Sequence, residues 1–191
     1  PTSADASDDE LLRRIGAGDR HACTLLVDRH LARMHALAAR VLGDEAEAED
    51  VAQEVFIKVW EQAARWRPDG GARFGTWLHQ VCLNACRDRL RRRRESASLD
   101  AVAEPADHRP GPEARAQADS VGAQVRAALD ALPERQREAL VLCHYQELPQ
   151  AEAAEVLGVS VDAIESLLAR GRRALRERLA GERASLAGDD R

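Results

Sequence analysis

From Gln150 to Ala169 the chain reads QAEAAEVLGVSVDAIESLLA, and arginines follow at positions 170, 172, 173, 176 and 178. The spacing predicts two short amphipathic helices meeting at a sharp turn. Ala154 is small enough for close approach, Gly158 supplies the positive backbone dihedral at the turn, and Val159, Val161, Ile164 and Leu167 supply apolar contacts. Such a unit lays its second helix in a DNA major groove. Arg170, Arg172, Arg173, Arg176 and Arg178 are expected near the end of that helix, where the helix dipole favours cations and phosphates are within reach. The same pattern also fits a helical hairpin with a solvated charged tail.

A second group with chemical capacity lies between residues 66 and 94. Trp66, Phe74 and Trp77 set aromatic rings beside the glycine-containing segment 68–73, and the run Arg91 to Arg94 closes the following helix. Aromatic faces next to positive charge hold unstacked bases along a phosphate track, and the Asn84 amide is able to hydrogen-bond a base edge. Phe74 and Trp77 serve equally well as core residues. Cys82 and Cys86 stand four apart with His79 one turn earlier; without a CxxC pair or a second ligand cluster they read as buried thiols rather than a metal or redox site.

A third group, Asp50 to Trp60, reads DVAQEVFIKVW. Val51, Val55 and Val59 form one apolar stripe. Phe56, Ile57 and Trp60 widen the apolar surface beyond it, beside Asp50, Gln53, Glu54 and Glu61. Excess apolar area edged by acids suits a protein-docking face, and equally a helix buried on two sides. No phosphate-binding glycine loop, nucleophile elbow or clustered His/Asp/Glu ligand set is present, so no catalytic residues, metal or cofactor are assigned and an enzyme is not expected.

The elements that carry these groups are helical. The 191 residues contain only 3% aromatics, and the abundant Leu, Val and Ala favour packed helices over sheet. The net charge of −5 conceals a basic block: residues 67–95 carry eight basic and three acidic groups, against eight and thirteen in residues 1–66. Local fields rather than the sum steer a polyanion. Lys58 is the only lysine, which fits a GC-rich coding bias. No apolar run approaches the roughly 18 residues that span a bilayer and no signal peptide is legible, so a cytoplasmic protein is expected.

Two small helical domains are predicted, at residues 8–95 and 121–180, with tails at 1–7 and 181–191. Between them, residues 96–120 hold Pro105, Pro110 and Pro112 in an acidic, alanine-rich stretch that reads as a flexible linker. The first domain has four helices. Asp8 or Asp9 caps the first, with Leu11, Leu12 and Ile15 inward. Asp19 caps the second, where Leu25, Leu26, Leu31, Met34, Leu37, Ala38, Val41 and Leu42 recur until Gly43. Asp44 opens a third, running to about Trp66, and Pro68, Gly70 and Gly71 force a loop before the fourth. The second domain has helices at 121–131 and 133–144, the latter with Pro133 in its first turn, followed by the helix-turn-helix pair.

DVAQEVF, RFGTWLHQVCLNACRDRLRR, LPERQREALVL and AEVLGVSVDAIESLLARGRRALRERL, in this order and spacing, resemble the extracytoplasmic-function sigma factors, small bacterial transcription initiation factors of the sigma-70 superfamily. The resemblance covers nearly the whole chain apart from its tails. It implies a region-2 domain and a region-4 domain that hold core RNA polymerase, through its clamp coiled coil and its flap, together with promoter DNA. It assigns Asp50, Gln53, Glu54, Phe56 and Trp60 to polymerase docking. Arg73, Phe74, Trp77, Asn84, Arg87 and Arg91 fall in the part that melts the −10 element and captures a flipped base. Ser160, Asp162, Ala163, Glu165, Ser166, Arg170, Arg172 and Arg173 fall in the −35 reader. The linker is expected to thread the polymerase near its RNA exit path, and an anti-sigma factor serving a stress response is an expected partner, with no membrane insertion. Two positions depart from the common pattern: Glu165 and Leu167 stand where many members carry lysine and arginine. Pro149 also replaces the usual capping Ser or Thr.

Two other readings are distinguishable. A free-standing repressor would bind duplex DNA without polymerase, most simply as a dimer, but the chain offers no dimerisation helix. An enzyme would need the constellations already found missing.

Overall fold

A computed structural model of the protein describes residues 6–67, 73–100 and 121–188. Every regular element among them is helical: α1 (Asp8–Gly16), α2 (Arg20–Leu42), α3 (Glu45–Ala63), α4 (Phe74–Asp100), α5 (Val121–Asp130), α6 (Glu134–Leu140), α7 (Gln150–Leu157) and α8 (Val161–Gly188). A π-helical turn, Val141–Tyr145, extends α6. The chain divides into two compact units, one of residues 1–88 with Glu155–Gly158 and one of residues 89–154 with 159–191, so one division falls inside α4.

In the N-terminal unit, helix boundaries follow capping chemistry. The Asp19 carboxylate accepts from the His21 and Ala22 amides and starts α2. Asp44 accepts from the Glu47 amide and starts α3, and Gly43, left-handed at φ 67°, ends α2. At α1 the expected cap is corrected. The Ser7 hydroxyl accepts from the Glu10 amide, so Ser7 is the N-cap and Asp8 and Asp9 are the first helical residues. A serine oxygen closes the same ring as an aspartate, which leaves both carboxylates for other partners. Helix α3 stops at Ala63, short of Trp66.

Leu11, Leu12, Ile15, Leu26, Met34, Leu37, Val41, Val51, Val55, Val59, Leu78 and Leu83 form the core of this unit. Full burial of an aliphatic side chain of this kind contributes about 1.5–3 kcal/mol relative to exposure. Two members of the expected α2 stripe depart: Leu25 is half-buried and Leu31 is exposed. Leu25 lies about 100° around the helix from Leu26, off the buried arc, whereas Leu31 keeps the period of the buried residues and is still 41% exposed. Cys82 and Cys86 are fully buried and His79 nearly so, the Cys82 thiol donating weakly to the Met34 carbonyl. This is the buried-thiol reading.

Helix α4 continues through Ser96 to Asp100, so the first residues assigned to the linker are helical. The arginine run and Glu95 favour helix, and no proline intervenes before Pro105. Pro105, Pro110 and Pro112, like Pro68, Gly70 and Gly71, lie outside the described residues.

In the C-terminal unit α5 ends at Asp130 and Pro133 is the N-cap of α6 rather than a residue of its first turn. The Gln146 amide donates to the Val141 carbonyl five residues back, which defines the π turn and shortens α6 relative to the expected span. Leu140, Val141, Leu142, Ala153, Ile164 and Leu168 are its core. Gly171 lets α8 approach α6 closely, since a Cβ there would stand 2.8 Å from Leu140 Cδ1. Glu138 is fully buried, with Arg135 Nη1 at 3.6 Å from its carboxylate.

Candidate partner and nucleic-acid interfaces

Three surfaces are built on these elements. On α3 the inward stripe Val51, Val55 and Val59 is buried, as is Ala52. The opposite side keeps Ile57 59% and Trp60 44% exposed. Phe56 is half-buried, Asp50, Gln53 and Glu61 are exposed, and Glu54 pairs with Lys58 at 3.0 Å. The helix is therefore buried on one side, and a large indole and an isoleucine project from the other among acids. Burying such side chains against a partner removes apolar area from water.

The second surface gathers around the start of α4. Trp66 meets Phe74 edge-on at 5.7 Å between ring centroids, and lies 5.5 Å from Trp77. Phe74 lies 5.9 Å from Trp77 and meets the His30 ring edge-on at 5.5 Å. The four rings form one cluster. Phe74 is 4% exposed and serves as its floor, so its ring is core rather than a stacking face. Trp66 and Trp77 are half-buried and keep part of their rings accessible. From the cluster a stripe runs along α4 at helical spacing through Trp77, Asn84 and Arg87. Asn84 is exposed and its amide oxygen accepts from Arg87 Nη1 at 3.0 Å. Arg91 lies 3.9 Å from Glu95 and is well exposed, and Arg73 is exposed immediately before the helix.

Acids of α1 bracket this cluster. The Trp66 indole N–H donates to Asp9 Oδ1 at 2.9 Å, and Asp8 Oδ2 is 2.9 Å from His30 Nε2. Asp8 also receives Arg29 Nη1 at 2.5 Å. Burial pushes the Asp8 carboxyl up, but the hydrogen bonds and charges of His30 and Arg29 outweigh it and hold the pKa below the usual range. The sequence reading missed both acids as partners of the rings, because contacts across 22 and 57 residues leave no local signature.

The third surface is the helix-turn-helix. Gly158 takes φ 65° at the turn and Ala154 is buried at the crossing. The Ser160 hydroxyl accepts from the Ala163 amide at 3.2 Å and caps α8. Ile164 and Leu168 face inward, Leu167 is half-buried, and Val161 is exposed at the helix start instead of packing. Asp162, Glu165, Ser166, Arg170, Arg172 and Arg173 are exposed and Ala163 is half-buried. Because α8 runs to Gly188, the arginines sit at mid-helix, which removes the dipole argument for them. Their value is as charges on one long rod. Arg170 Nε donates to the Ser166 carbonyl at 3.2 Å, and Arg178 Nη2 to the Ala131 carbonyl at 3.2 Å.

Residues 26–96 match the family model Sigma-70 region 2, and residues 122–175 match Sigma-70, region 4. The RNA polymerase sigma-H factor of Pseudomonas aeruginosa is 32% identical over 178 residues, 88% of this chain and 91% of that protein. The chain belongs to the extracytoplasmic-function sigma factors of the sigma-70 family. The ECF RNA polymerase sigma factor SigE of Mycolicibacterium smegmatis is 37% identical over 81% of this sigma factor, which spans 60% of that relative's length. Among solved structures, CnrH in complex with the cytosolic domain of CnrY superposes with a TM-score of 0.68 at 31% identity. That match covers 91% of this sigma factor and 97% of CnrH. The region-2 match takes in the α3 face, the aromatic cluster and the α4 stripe; the region-4 match takes in the helix-turn-helix with Arg170, Arg172 and Arg173. As a sigma-70 family member the chain is an initiation factor rather than an enzyme. Among the described residues no helix is long and apolar enough to cross a membrane.

Proposed function

We propose that this sigma factor docks on the clamp coiled coil of core RNA polymerase through Asp50, Gln53, Glu54, Phe56 and Trp60, and directs the enzyme to its promoters. The single observation that carries the reading is the outward face of α3, where Ile57 and Trp60 stand exposed on a helix already anchored by Val51, Val55 and Val59. Downstream of it, Arg73, Trp77, Asn84, Arg87 and Arg91 follow the −10 strand, with Trp77 offering the stacking face and Phe74 supporting it from below. Extruding a base costs a few kcal/mol, which stacking, phosphate contacts and polymerase binding offset without hydrolysis by this chain. The α8 face reads the −35 element, with Glu165 and Ser166 aimed at base edges and Arg170, Arg172 and Arg173 at phosphates, while region 4 also engages the polymerase flap.

A protein inhibitor belongs to the same reading. CnrH was solved with the cytosolic domain of CnrY, and an anti-sigma factor that covers the α3 face would block docking at Trp60. Function in the cytoplasm, in a response to envelope or environmental stress, completes the proposal. Run-off transcription tests it: a cognate promoter is transcribed only when this chain joins core polymerase. Failure to co-elute with core polymerase in gel filtration would sink the reading.

A further inference from the structure

The first turn of α1 is tied to the aromatic cluster from two sides. Ser7 caps the helix, so neither Asp8 nor Asp9 is needed for that role. Asp9 accepts the Trp66 indole N–H, and Asp8 meets the His30 ring that packs edge-on against Phe74. Trp66 lies beyond the end of α3 at Ala63, and its backbone amide reaches only the Ala63 carbonyl, at 3.2 Å. Outside the helical ladder, the indole's orientation depends on its hydrogen bond and its ring neighbours. One of those neighbours is Trp77, the first residue of the α4 stripe.

We propose that Asp9, with Asp8 behind it, is a positioning residue for capture of the −10 base. Asp9 fixes the Trp66 indole, Trp66 fixes the tilt of Trp77 and covers Phe74, and the stacking face is set before DNA arrives. Such pre-organisation lowers the ordering cost at the moment of binding. The inference rests on the reading of α4 as the −10 surface.

The test uses the full chain with core polymerase on a promoter mapped from transcription starts after overexpression, scoring permanganate reactivity of −10 thymines. Asp9→Ala is expected to slow opening roughly two- to tenfold, the range one net hydrogen bond supplies, with core-polymerase affinity unchanged. Asp9→Asn, whose amide oxygen still accepts from the indole, restores opening to within about twofold on the same scale. Trp66→Phe keeps a ring but removes the N–H, and reproduces the defect even if Asp9→Ala folds poorly. Wild-type opening by both Asp9→Ala and Trp66→Phe, beside a defective Trp77→Ala, overturns the inference alone. So does a defect in Asp9→Asn equal to that of Asp9→Ala, or a loss of core-polymerase affinity in both Asp9→Ala and Trp66→Phe. Wild-type opening by Trp77→Ala overturns the −10 reading itself, and the inference with it.

Discussion

Gly16, the last residue of α1, lies so close to Ala64 that a Cβ on Gly16 would stand 2.9 Å from the Ala64 Cα. It would also stand 3.1 Å from the Ala63 carbonyl oxygen. The obstacle is backbone, which cannot rotate aside as a side-chain tip does. Gly16→Ala is therefore expected to destabilise region 2 by about 1–3 kcal/mol, the usual cost of overpacking. Denaturant melts of the wild type and the variant, followed by circular dichroism, give this directly; equal midpoints would contradict it.

The α3 face sets a second expectation. Trp60→Ala and Ile57→Asp remove exposed side chains, so the fold should hold to within roughly 0.5 kcal/mol. Affinity for core polymerase should fall at least about tenfold if the indole is a central anchor. Equilibrium titration with core polymerase separates the two effects.

On α8, Arg170→Ala and Arg173→Ala each remove one exposed charge. Each should weaken binding of the −35 duplex almost equally across sequences. Each should also reduce the slope of log affinity against log salt by about one. Glu165→Ala behaves differently if the carboxylate reads a base, because its effect then depends on the sequence offered.

Asp19 carries the pH prediction. The Arg14 hydrogen bond, then the Ala22 and His21 amides and the Arg14 charge, hold its carboxyl below the usual range. Arg14 Nη2 is 2.7 Å from Oδ2. A carboxyl lowered by folding stabilises above its unfolded pKa, near 4, and that stabilisation is lost as pH falls through the lower folded value. The stability gap between wild type and Asp19→Asn should thus be full at neutral pH and shrink below about pH 4. A gap unchanged at pH 2.5 would count against the Arg14 partnership.

What the chain disclosed in advance was its local grammar. Asp19, Asp44, Gly43 and Gly158 mark helix ends through bonds and dihedrals confined to a few residues, and periodic leucines and valines locate the buried stripes. The losses came where the deciding contact is distant or the competition is close. Ser7 and the aspartates after it are nearly equal caps, and only the pairing of Asp8 with His30 and Asp9 with Trp66 shows why serine holds the position. Leu31 fits the α2 period, yet no element covers it within its unit. Phe74 read as either core or stacking surface, and the His30 and Trp66 rings around it decide for core. The π turn at Val141–Tyr145 leaves no sequence mark, since it ends its helix and no further turn follows to show the one-residue shift in the apolar pattern.

The chain's three tryptophans are Trp60, Trp66 and Trp77, and all stand in region 2. Region 4 carries only Tyr145 as an aromatic. Intrinsic indole emission therefore reports on one half of the molecule alone. Within that half the exposed Trp60 is separable from the clustered pair by a single substitution. Trp60→Phe leaves an optical signal confined to the ring cluster, and the pair Trp66→Phe and Trp77→Phe leaves one confined to the α3 face. In the isolated chain, the two variants thus separate changes at the α3 face from changes at the ring cluster, with no label added.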